Sequence, residues 1–91
     1  MTKIRESHYR QVAGLEVHEA DDGLIIFNAS TDRVHHLNQT AGVLFELCLQ
    51  ARTQTALAES VQSLYQLEKV PMEELQQIVN KLLIEGVLEE V

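Results

Sequence analysis

The sequence is short of cysteine, of cations and of long apolar runs, and each shortage excludes something. One cysteine forms no internal disulfide and cannot build a multi-cysteine metal site. Seven Lys and Arg stand against fourteen Asp and Glu, a formal charge of −7. That balance leaves no excess of positive charge to displace counterions from a nucleic-acid backbone. No apolar run approaches the roughly 18 residues of a membrane span, and the first residues lack the apolar core of a secretory signal. A glycine-rich phosphate loop and a nucleophile elbow are both missing. The expectation is a cytoplasmic protein that is not an enzyme, takes no cofactor, and partners neither nucleic acid nor membrane.

What is present is the material of one small domain. Of the 91 residues, 45% are hydrophobic, which suits a folded globule rather than a disordered tail. A chain of this length buries roughly 60–65% of the surface its unfolded form exposes, so its core is modest. Residues 1–11, polar and mixed in charge, read as an N-terminal tail or edge strand, with the domain proper over 12–91. LEVHEA, from Leu15, alternates weakly. Asp21-Asp22-Gly23 signals a tight hairpin, because Asp-Gly accepts positive φ. Leu24 to Asn28 is a β-branched and aromatic run, residues 29–32 supply a second turn, and Arg33 to Leu37 reads as a third strand. Two successive hairpins make a three-stranded antiparallel sheet.

After Leu37 the period becomes helical. Asn38 is a good N-cap, with Thr40 as a competitor. Ala41, Leu44, Phe45 and Cys48 recur at three- and four-residue spacing, widened by Val43 and Leu47. Thr53 or Thr55 caps a second helix whose face carries Leu57, Val61, Leu64 and Tyr65. Gln66 to Val70 is a linker, and Pro71 suits the first turn of a third helix. Leu75, Ile78, Val79, Leu82 and Leu83 form the cleanest amphipathic stripe, and Gly86 is placed to stop it. VLEEV closes the chain as an extended segment. The fold class is α+β, a three-stranded antiparallel sheet followed by three helices, in a winged helix-turn-helix type of arrangement.

Little in this pattern carries catalysis. Cys48 lies within an apolar stripe, where a thiol is structural unless exposure and a cation activate it. His35 and His36 are adjacent on a strand, so they point to opposite faces and cannot chelate one metal together. His18 could approach one of them across the sheet, but no third ligand is evident. The third helix carries Lys81 alone against Glu73, Glu74 and Glu85, a charge that phosphates would repel from a groove. A transcriptional winged helix is therefore the alternative that electrostatics disfavour. A binding module that uses shape remains. An open edge of the small sheet beside the third helix could take an extended peptide as an added strand. Alternatively, the third helix merely covers that edge, or the edge joins two copies in a homodimer. Periodicity alone does not choose among these.

Asp22 to Leu49, DGLIIFNASTDRVHHLNQTAGVLFELCL, resembles the PqqD-like family. A hairpin leads into a Leu-Asn-x-Thr-Ala junction, here Leu37, Asn38, Thr40 and Ala41, and then into a helix. Arg52-Thr53 opening the second helix, Leu64-Tyr65 at its end, and Leu82-Leu83 followed by Gly86-Val87-Leu88 complete a likeness that spans roughly residues 15–90. Where members serving pyrroloquinoline quinone synthesis carry Asp-Gly after the first helix, this chain has Gln50-Ala51, which is more like the wider stand-alone relatives. The resemblance implies a recognition element for ribosomally made, modified peptides. Such an element binds the leader of a precursor and presents it to a modifying enzyme such as a radical enzyme or a protease. It further implies that the leader lies antiparallel to the third strand, along Arg33, Val34, His35, His36 and Leu37. Leu75, Val79, Leu82 and Leu83 of the third helix would then serve as wall residues.

Overall fold

The computed structural model describes residues 7–91. In chain order its elements are β1 (His8–Gln11), β2 (Leu15–Ala20), β3 (Gly23–Asn28), β4 (Arg33–Asn38), α1 (Gln39–Leu47), β5 (Arg52–Thr53), α2 (Gln54–Tyr65), α3 (Met72–Glu85) and β6 (Leu88–Glu90). The expected α+β class and both hairpins are present, with β2, β3 and β4 forming an antiparallel meander in that order. Leu24 lies opposite Leu37, and Ile26 opposite His35. These four side chains are buried, while Ile25, Val34 and His36 on the other face are exposed. Strand alternation thus turns one face of the meander onto the helices and the other to solvent.

The first hairpin turns at Asp21 and Asp22, since Ala20 pairs with Gly23. The positive φ expected in this turn falls on Gly23 itself, at +154°. A Cβ there would sit 1.8 Å from the Leu37 carbonyl oxygen, so only glycine lets β3 approach β4 at this point. In the second hairpin Asn28 Oδ1 accepts the Ser30 N–H at 3.0 Å, and Asp32 takes a positive φ of 56°.

One expectation is corrected. The strands form two sheets, not one. Residues 8–11, read as part of a tail or edge strand, are the middle strand of a second sheet ordered β5-β1-β6. Tyr9 lies opposite Arg52 on one side and Glu90 on the other, and its ring is buried. The closing segment becomes β6, and the residues before the second helix become β5. Each strand is too short to show an alternation of its own, and its partners are remote in sequence. The remainder of the expected tail, residues 1–6, lies outside the described residues.

The helices begin and end for local reasons. Asn38 Oδ1 accepts the Ala41 N–H at 2.9 Å, and Thr53 Oγ1 accepts the Ala56 N–H at 3.1 Å. Each satisfies a donor that the first helical turn leaves open. Pro71 stands immediately before α3, and Glu73 and Glu74 occupy its first turn, favourably placed at the positive end of the helix dipole. Gly86, with φ of 78°, ends it. Between the meander and the helices lies one core, in which Ile26, Leu44, Leu57, Val79, Leu82 and Val87 have no measurable exposure.

Candidate functional site: a cleft beside the edge of β4

β4 is the last strand of its sheet, so one row of its backbone groups has no strand partner. The close approach of the Leu37 carbonyl oxygen to Gly23 shows which row. Leu37 directs its backbone groups to β3. Because these groups alternate along a strand, His35 does the same, while Val34 and His36 turn their N–H and C=O groups to the open edge. Outside the ladder to β3, no backbone hydrogen bond among the described residues engages Val34 or His36.

Alongside this edge runs a cleft of about 260 Å³. Its strand side is His36, Leu37 and Asn38. Its helix side is Gln77, Ile78, Lys81, Leu82 and Glu85 of α3. The helix therefore stands beside the edge and leaves a channel, rather than covering it. At the lower end of the channel Glu85 Oε1 lies 3.6 Å from Nδ1 of His35, which stands behind the lining with a side chain 7% exposed. That distance is too long for a good hydrogen bond. His35 Nε2 and Glu85 Oε2 are both buried and have no partner among the described residues. Beyond the upper end of the channel lies a second cavity of about 230 Å³, walled by Thr40 and Leu44 of α1, Val61 and Tyr65 of α2, and Leu75 and Ile78 of α3. Ile78 borders both spaces.

The residues named from the sequence fall into distinct places. Arg33, Val34 and His36 are exposed along β4, and His35 and Leu37 point inward. Leu82 lines the cleft, and Leu75 lines the upper cavity. Val79 is wholly within the core, and Leu83 is half-buried against it. Neither borders either space. Gln77, Ile78, Lys81 and Glu85 were not named as wall residues, yet they form most of the helix side. The sequence signal that could have found them is position: Ile78 is a member of the apolar stripe of α3, and Gln77, Lys81 and Glu85 flank the stripe on the side of Ile78.

Other chemistry is sparse. Cys48 is buried, and burial pushes its thiol up to about 11 against the lowering influence of the Arg52 charge. Such a thiol is held away from its nucleophilic form. His36 Nε2 lies 3.1 Å from Asp22 Oδ1, and His18 Nε2 3.2 Å from Glu16 Oε1, both at the surface. No group of three or more His, Cys, Asp or Glu among the described residues could hold a metal ion. No helix among them is long and apolar enough to cross a membrane.

The deciding comparison is with protein families. Residues 23–88 match the family model described as coenzyme PQQ synthesis protein D (PqqD). The chain belongs to the PqqD family. The match begins at Gly23 and ends at Leu88, so it takes in β3, β4, all three helices and the cleft between β4 and α3. The PqqD family supplies non-catalytic partners that work with a precursor peptide and a modifying enzyme in biosynthesis from ribosomally made peptides. No curated protein and no solved structure gives a significant match.

Proposed function

We propose that this protein is a peptide chaperone that holds the leader of a precursor peptide as an added strand on β4 and presents it to a modifying enzyme. The observation that carries this reading is the coincidence of an open edge with a walled channel. The outward backbone groups of Val34 and His36 face the same side as the cleft between β4 and α3. An added strand gains affinity from main-chain hydrogen bonds, and its alternate side chains enter the channel against Leu37, Ile78 and Leu82. An antiparallel course continues the pattern of the sheet, in which antiparallel pairing is slightly the more stable. The acidic balance of the chain speaks against a transcriptional module, because α3 offers Lys81 alone to a phosphate backbone.

The test uses the leader of a precursor peptide encoded beside this protein's gene. Proline at Val34 or at His36 removes a donor on the open side while leaving the ladder to β3 intact. Both variants should stay folded by circular dichroism and lose leader binding in isothermal titration. Full affinity in both folded variants would show that the peptide docks elsewhere.

A further inference from the structure

We infer that the channel reads two positions of its peptide: a large apolar side chain in the upper cavity, and, four residues later, a side chain that donates hydrogen bonds to Glu85. This deepens the added-strand reading and rests on it. The argument begins with direction. β4 ends at Asn38, and Thr40, just beyond, lines the upper cavity, whereas Glu85 lies beside His35 in mid-strand. A peptide running antiparallel to β4 therefore passes the apolar cavity first and Glu85 second.

The two ends differ in chemistry. The upper cavity is walled mainly by carbon: Leu44, Val61, the Tyr65 ring, Leu75 and Ile78, with Glu74 at its margin. At about 230 Å³ it has room for a Leu, Met or Phe side chain, and of its lining residues only Thr40, Tyr65 and Glu74 carry a polar side-chain group. The lower end is the opposite. Glu85 lines the channel, its Oε2 is buried without a partner, and the neighbouring His35, more than nine-tenths buried, leaves Nε2 equally unpaired. A carboxylate oxygen accepts and never donates. The complementary ligand group is an amine, a guanidinium or an amide, and an Asp or Glu there would set acceptor against acceptor. Lys81 also borders the channel, but no ion pair joins it to Glu85.

Spacing follows from the helix. The cavity centres between Leu75 and Ile78, and Glu85 ends α3. At about 1.5 Å per residue the two points lie roughly 12–15 Å apart along the helix axis. An extended chain covers about 3.3 Å per residue, so this span is about four residues. Residues four apart on a strand share a face, so both side chains enter the same channel.

The experiment is a selection of random twelve-residue peptides, displayed on phage, against the whole protein. Fluorescein-labelled synthetic copies of the enriched sequences are then measured by anisotropy. Enriched peptides should carry Leu, Met or Phe followed four positions later by Lys, Arg, Gln or Asn. Changing the apolar residue of the peptide to Ser should weaken binding at least tenfold, and changing the donor to Glu at least fivefold. Glu85→Gln should abolish the discrimination against Glu, and Ile78→Glu the preference for the apolar residue. Enriched peptides that lose binding to the folded His36→Pro variant but show no such spacing, or show it in reverse order, overturn this inference and leave the added-strand reading standing. Peptides that bind His36→Pro with full affinity, or a library with no enriched sequence, overturn both.

Discussion

The meander has two edges, β2 and β4, and they are built differently. Along β2 the four middle residues, Glu16 to Glu19, are exposed on both faces, with carboxylates at either end of the run. A strand added there would gain main-chain bonds and no wall, and the charges blunt the edge as natural sheets commonly do. Along β4 the faces are unequal. His35 and Leu37 are buried, Val34 and His36 are exposed, and α3 stands beside the edge with a channel between. An open edge is thus a common feature, and the neighbouring helix is what gives one of the two a walled channel beside it. The difference arises because α1 packs on β3 and β4 and Glu85 of α3 lies beside His35 of β4, whereas the chief neighbour of β2 is β3.

Five outcomes would break or sharpen that comparison. The largest effect should come from His35→Pro, whose N–H is turned toward β3. Its loss within the ladder should unfold the protein, and a native circular-dichroism spectrum would reverse the assignment of inward and outward rows. Next is affinity. Val17→Pro on the β2 edge should leave leader binding unchanged, whereas His36→Pro should lower it at least tenfold, about 1.4 kcal/mol. Equal loss from both would erase the distinction between the edges. Leu37, 2% exposed, packs at the junction of β4 with the helices. Leu37→Ala should cost about 2–5 kcal/mol in chemical denaturation through the cavity it leaves. Asn38→Ala removes the cap that joins β4 to α1 and should cost about 1 kcal/mol, whereas Asn38→Asp should cost little. Smallest of all, Glu16→Gln and His18→Gln should each stay within about 0.5 kcal/mol of the parent, because their ion pair is exposed at the surface.

How much of this was legible beforehand differs by element. The turn at Asp21-Asp22-Gly23, the caps at Asn38 and Thr53, the stop at Gly86 and the amphipathic stripe of α3 are all local. Each depends on residues within one turn of one another, where hydrogen-bond geometry and φ preference act directly. The strand carrying the candidate edge was legible for the same reason. The second sheet was not. Tyr9 reaches Arg52 and Glu90 across most of the chain, and Arg10 meets Glu89 at 2.8 Å, through strands too short to announce themselves. The helix wall was half legible: periodicity picked out Leu75, Ile78, Val79, Leu82 and Leu83 as one apolar face, but could not say which part faced the core and which the channel.

The sequence by itself therefore determined the order of elements, where each begins and stops, and which residues are apolar on each face. It did so because propensity, capping and alternation act over a few residues. Only the tertiary structure decided that His8–Gln11 is a central strand, that Val79 serves the core while Gln77, Ile78, Lys81 and Glu85 line the channel, and that β4 rather than β2 lies beside α3. Those outcomes depend on how α3 rotates and where it settles when Leu75, Val79 and Leu82 are buried together with Leu37 and Leu44. That settlement is a compromise among all the packed elements at once, and no short window of the chain contains it.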